Sequence, residues 1–233
     1  MPARAAAYRP FDGTDADVAE EREIEIELGP VNYSRDAGRT SLITPALVFN
    51  YGLGLETELV IDSELVVALS KPTRGMSRSP ALLGNDILLK HVFREGTLQD
   101  KTGISLAAEG GVLLPEINGE AELGASLDVI ASYRWSFGTL HWNEWFQYTR
   151  EHHADLFTGV ILEGPHDWTV RPVAELFYSK DFKAGSTESI LVGAIWTVGE
   201  SVAIDGGFRG ARVDGGYVTE GRLGVTWGFS TER

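Results

Sequence analysis

Residues 21–29 read EREIEIELG, with Glu23, Glu25 and Glu27 on one parity and Ile24, Ile26 and Leu28 on the other. Successive side chains of an extended strand point to opposite faces, so this run predicts one acidic face against water and one apolar face. The period-two pattern recurs along the chain at the spacing of a strand plus its turn. It predicts strands near 21–33, 40–52, 55–70, 85–95, 102–114, 121–136, 138–150, 154–164, 167–180, 188–199, 201–211 and 217–229, a count of twelve, after a polar leader at 1–20. The connections alternate in length: YSRDAGR, KPTRGMSRSPALLGN, PEINGE, REHHAD, SKDFKAGST and RVDGG are the longer set, tight turns such as SFG and GES the shorter, and REGTLQDKTG the exception. Alternating loop lengths and an even strand count predict a twelve-stranded antiparallel transmembrane β-barrel over residues 21–233, with both ends periplasmic.

Parity sorts the strands into two walls. One carries Ile24, Leu47, Phe49, Ile61, Ile87, Leu89, Phe93, Leu127, Val129, Trp142, Phe146, Leu176, Ile204, Phe208, Leu223 and Val225. The other carries Glu23, Glu25, Glu27, Glu56, Glu58, Asp62, Lys90, Arg94, Asp128, Arg134, Asn143, Arg171, Glu175, Asp205, Arg209, Glu220 and Arg222. In a barrel the first wall faces lipid and the second lines a watered lumen. Tyr133, Trp135, Tyr148, Tyr178, Trp227 and Phe229 fall toward strand ends, where amphipathic rings favour a membrane boundary. A soluble sandwich or lipocalin-like barrel shows the same alternation with the apolar face buried. Both signs of charge on the polar wall and the terminal aromatics favour the membrane barrel.

Composition changes the picture in three places. A formal net charge of −14 argues against a nucleic-acid partner, which needs clustered Lys and Arg. Absence of cysteine removes thiol chemistry and Cys-based metal sites. No run approaches the roughly 18 apolar residues of a spanning helix, whereas a spanning strand needs only about 9–11 alternating ones. The small residues Ala3–Ala7 look like the end of a secretory signal, although no apolar segment precedes them.

Several stretches, in order, resemble a known family. YRPFDGTDADVAEEREIEIELGP, PALVFNYGLGLETELVID, NDILLKHVFREG, ISLAAEGGVLLPEING, VAIDGGFRGARVDG and GRLGVTWGF are similar to successive segments of the MetA-pathway of phenol degradation family of outer-membrane proteins. The chain has Pro115-Glu116-Ile117 where that family has Pro-Thr-Gly, and Ser230–Arg233 follow the terminal aromatic Phe229. The resemblance implies a bacterial outer-membrane β-barrel, a channel or uptake protein for small compounds, aromatic or hydrophobic ones among them. Its partners are then outer-membrane lipid and a small solute.

Little else points to chemistry. His141 and Asn143 share the inner face of one strand, but no G-x-S-x-G elbow accompanies them and no serine is tied to them by sequence. His152, His153 and Asp155 occupy a loop without the spacing of a metal site. No cofactor, metal or catalytic residue is therefore expected, and the expected role is passage of solutes. A barrel filled by its own side chains, structural or adhesive, is the alternative.

Overall fold

The computed structural model describes residues 9–36, 39–70 and 80–231. Twelve strands form one closed antiparallel barrel in which each pairs with its chain neighbours and the last closes on the first. They are β1 (Glu23–Asp36), β2 (Arg39–Gly52), β3 (Thr57–Ala68), β4 (Ala81–Arg94), β5 (Ser105–Leu113), β6 (Gly124–Trp135), β7 (Gly138–Tyr148), β8 (Ala154–Glu163), β9 (Val170–Asp181), β10 (Gly185–Gly199), β11 (Val202–Val213) and β12 (Gly216–Ser230). A 3-10 turn at Thr97–Gln99 is the one helical element among the described residues. Closure leaves no sheet edge, as a wall in lipid requires, because hydrocarbon offers an unpaired N–H or C=O no partner.

The loop alternation is weaker than the sequence reading expects. Tyr33–Asp36 pair in register with Arg39–Leu42, so the first connection shrinks to residues 37–38, which lie outside the described residues. Likewise β9 and β10 pair to Asp181 and Gly185, absorbing most of SKDFKAGST. Backbone pairing does not depend on side-chain polarity, so ladders continue past the end of the apolar belt. Ala3–Ala7 and residues 71–79 of the third connection also lie outside the described residues. Two register breaks, between Leu28 and Val31 and between Ile43 and Ala46, fall at Pro30 and Pro45, which cannot donate to the ladder.

Polarity is inverted relative to a soluble domain. Leu127, Phe146, Leu176, Val192, Phe208 and Trp227 each leave half or more of their surface uncovered, while Glu23, Glu25 and Glu27 are at most 5% exposed. The soluble alternative needs the reverse arrangement. Leu176 sits midway along β9, at 57% exposure. Leu176→Arg should therefore lower stability in vesicles by about 2–4 kcal/mol, the cost of a charge at mid-bilayer. Urea titration of the vesicle-folded barrel measures it, and no loss would mean that this wall does not meet lipid.

Candidate functional site: the occupied lumen

The lumen is built by inward-pointing residues of every strand and by one further element. Residues 9–20 of the leader cross the barrel interior and bond to several strands. The Asp12 and Gly13 N–H groups donate to the two carboxylate oxygens of Glu175 on β9 (3.0 and 2.7 Å). Asn143 on β7 accepts from Thr14 N–H at 2.7 Å and donates to Thr14 O at 2.8 Å. Ala16 N–H donates to Ser132 Oγ at 3.0 Å on β6, and Ala19 N–H to Glu58 Oε2 at 2.7 Å on β3. At the other end Arg222 donates to Pro10 O (2.7 Å) and Asp12 Oδ1 (3.0 Å), and Arg9 donates to Asn32 Oδ1 (3.1 Å). A segment without regular structure is tolerated here because the barrel's polar side chains satisfy its backbone groups.

Apolar contacts add to these. Phe11 packs on Val173, Ile195 and Ala203, and Ala16 and Val18 on Val92, Ala107 and Ile130. The wall is also shaped for the leader. A Cβ on Gly29 would stand 2.4 Å from the Arg9 guanidinium, and one on Gly224 2.1 Å from Asp205 Oδ2 and 2.6 Å from Arg9 Nε, so a larger residue at either position makes these side chains shift. The long connection between β4 and β5, the exception in the loop pattern, holds the leader near its exit. Gln99 Nε2 donates to Ala16 O (2.7 Å) and Asp17 Oδ1 (3.0 Å), and Leu98 is buried beneath.

The sequence-derived residues are placed as follows. Glu23, Glu25, Glu27, Glu58, Lys90, Asp128, Asn143, Glu175 and Asp205 are buried and inward. Asp62 borders a cavity with Glu27 and Glu58. Arg209, Glu220 and Arg222 form one cluster with Asp12, Arg222 Nη2 lying 2.8 Å from Glu220 Oε2. Arg171 lies 3.7 Å from Glu163. Half-buried Arg134 sits beside the 3-10 turn, its N–H donating to Thr97 Oγ1 at 2.8 Å. Two residues lie elsewhere. Glu56 is exposed in the turn between β2 and β3 with a left-handed φ of 54°, outside any strand. Arg94 is exposed at the end of β4, after a register shift between Val92 and Arg94 that breaks the parity.

None of three further features of the lumen is singled out in the sequence reading. Trp145, Phe157 and Phe177 form an inward aromatic row across β7, β8 and β9, with ring centroids 4.5 and 4.8 Å apart. Arg209 caps the row at 5.1 Å from the Phe177 ring. Trp145 lies two residues beyond Asn143, so its direction follows from that of Asn143. Next, His141 does have a serine partner, Ser132, at 2.8 Å through Nδ1, with Glu163 3.4 Å from Nε2. Ser132 is 1% exposed and accepts the Ala16 N–H, so its hydroxyl anchors the leader and has no room for a carbonyl substrate. Finally, Arg150 bonds Leu114 O and the Asp86 carboxylate near the far rim.

The charges of the lumen are segregated. A cavity of about 230 Å³ lies on the side of β1 to β7, bordered by the leader, Glu27, Glu58, Asp62, Asp86, Glu109, Asp128 and Lys90. A second, of about 270 Å³, lies by Arg9, Arg209 and Arg222, with Glu64 and Glu220. The leader runs between them, and its own carboxylates feel both. Burial pushes Asp12 up, but Arg222 and Arg209 outweigh it and hold Asp12 below its usual range. Asp17 is raised to about 7 by burial and by neighbouring Asp15.

The fold is that of bacterial outer-membrane barrels. The COG4313 outer membrane channel from Pseudomonas putida F1 is similar at a TM-score of 0.66 and 11% identity, over 94% of this chain and 100% of that one. The KdgM porin is similar at 0.58 and 11% identity, over 87% and 98% of the two chains. Its complex with disordered oligogalacturonate gives 0.54 over the same shares. No family model and no curated protein matches the sequence, so the phenol-degradation resemblance rests on the stretches that carry it.

Proposed function

We propose that the chain is an outer-membrane channel for small solutes, with its route along the acidic side of the lumen and its aperture set by the amino-terminal segment. The observation that carries this reading is the cavity of about 230 Å³ alongside the leader, polar and rich in carboxylates. A barrel serving only as a structural wall gains nothing from such a cavity, since each buried carboxylate costs solvation that an apolar filling would avoid. Around it the acidic side chains outnumber Arg9 and Lys90, which favours entry of cations and neutral polar molecules over anions. The family resemblance extends the solute range to aromatic or hydrophobic compounds, and the row Trp145–Phe157–Phe177 gives such solutes an apolar surface within the lumen.

The test is a reversal potential across a planar bilayer with a potassium chloride gradient. The expected sign is that of potassium passing more readily than chloride, and chloride preference would overturn the proposed route. The alternative of a side-chain-filled, non-transporting barrel is favoured by the leader itself, which fills the middle of the lumen. Proteoliposome swelling with the full chain separates the two: the filled barrel predicts no flux of any solute, the channel a measurable one.

A further inference from the structure

The cavity on the acidic side is lined by carboxylates and apolar side chains next to one another. Asp128 is 4% exposed; its Oδ1 accepts the Glu144 N–H at 3.1 Å and the Trp145 side chain is a neighbouring donor, while its buried Oδ2 has no partner within hydrogen-bond geometry among the described residues. Asp62 Oδ1 is buried and unpartnered in the same sense, and both residues border the cavity. Buried carboxylate oxygens left without donors are costly, so a donor brought in from outside binds with a gain. The nearby cation is engaged elsewhere: Lys90 Nζ donates to Thr14 Oγ1 at 3.3 Å and lies 3.6 Å from both Glu58 and Asp15. The lining beside these carboxylates is apolar: Val60 lies two residues from Asp62 and pairs with Leu88, and Trp145 pairs with Asp128 and stacks into the aromatic row.

We propose that this cavity binds a small organic ammonium ion, an amine carrying one ring or a short apolar chain. The ammonium donates to Asp128 and Asp62, and the apolar part lies against Trp145 and its neighbours, where the indole also attracts the cation. A metal ion fits less well. Among the described residues no three His, Asp or Glu side chains converge as a metal requires, and an apolar wall offers such an ion nothing. The inference deepens the channel reading and rests on it, since the cavity is then a waypoint on the solute route.

The experiment uses the full chain folded in detergent and three matched probes: benzylammonium, benzyl alcohol and benzoate. Titration calorimetry should give saturable binding of benzylammonium at least about tenfold tighter than benzyl alcohol, with no binding of benzoate, the scale of one charge-assisted hydrogen bond. Asp128→Asn should weaken benzylammonium about tenfold and leave benzyl alcohol unchanged, the same scale applying. Asp62→Asn serves where the first variant loses the heat-dependent gel mobility of a folded barrel. No saturable binding, or equal binding of all three probes, overturns the site. Flux of the same probes into proteoliposomes is read separately. Flux without binding leaves the channel standing and removes the site, whereas binding without flux of any probe keeps the site and removes the channel.

Discussion

Deleting residues 1–20 should raise single-channel conductance several-fold and remove the leader's share of its pH dependence. Residues 9–20 occupy the middle of the lumen through bonds to Glu175, Asn143, Ser132 and Glu58 on four strands, and none of these bonds closes the barrel. The ladder from β1 to β12 is complete without them, so the shortened chain should still fold and show a wider path. The pH signature follows from Asp17, whose carboxyl moves from an ordinary 3.8 to about 7 when seated. A raised acid stabilises the seated leader fully below 3.8 and loses that contribution as pH rises through about 7. Asp12, held below its usual range chiefly because Arg222 and Arg209 outweigh its burial, acts in the opposite sense, and only in more acid solution. Asp17 therefore loosens the leader as it ionises, so conductance of the full chain should rise from pH 4 to pH 8. Asp17→Asn should hold it near its acid value. Gly29→Val should displace the Arg9 side chain without shortening the chain and raise conductance in the same direction but by less, because the bonds to Glu175, Asn143, Ser132 and Glu58 remain. Equal conductance of all these forms would sink the gating role.

The barrel wall was legible because a strand has a fixed period of two and each face meets a different solvent. EREIEIELG shows this within nine residues, and Glu23, Glu25 and Glu27 are buried in the barrel interior. Glu56 and Arg94 were not legible for a local reason. A positive φ in a turn and a register shift each reset the parity, and neither leaves a mark in the hydrophobic pattern. The leader was illegible for a different one. Its bonds run from backbone N–H groups to side chains as far as 163 residues away, and a backbone donor looks the same at every position. Polar residues without period read equally as a free tail or as a segment seated in a polar barrel. What could have hinted at the seat is a small residue on the inner parity, Gly29, whose open position is taken up by the Arg9 guanidinium.

Lys90→Met should loosen the leader, raise conductance toward that of the shortened chain and strengthen the preference for potassium over chloride. Lys90 is fully buried, with Glu58 and Asp15 each 3.6 Å from its Nζ and Thr14 Oγ1 at 3.3 Å, so it ties β3 and β4 to the leader. Breaking a buried pair by removing one partner costs about 3–5 kcal/mol when the orphaned charge stays dry. Here the cavity of about 230 Å³ lies against Glu58 and Lys90, so water and small cations can reach the exposed carboxylates and offset part of that cost. The effect then falls mainly on the leader. Asp15 and Thr14 lose an anchor, Asp15 is repelled by Glu58, and the lumen becomes more negative by one charge. Lys90→Arg keeps the charge and should keep both conductance and selectivity near those of the parent. In the shortened chain Lys90→Met should change selectivity but add little conductance, because the segment it would release is already gone. A full-chain Lys90→Met barrel with unchanged conductance would mean that the leader is held by its backbone bonds alone, and Lys90 would be reduced to balancing charge in the wall.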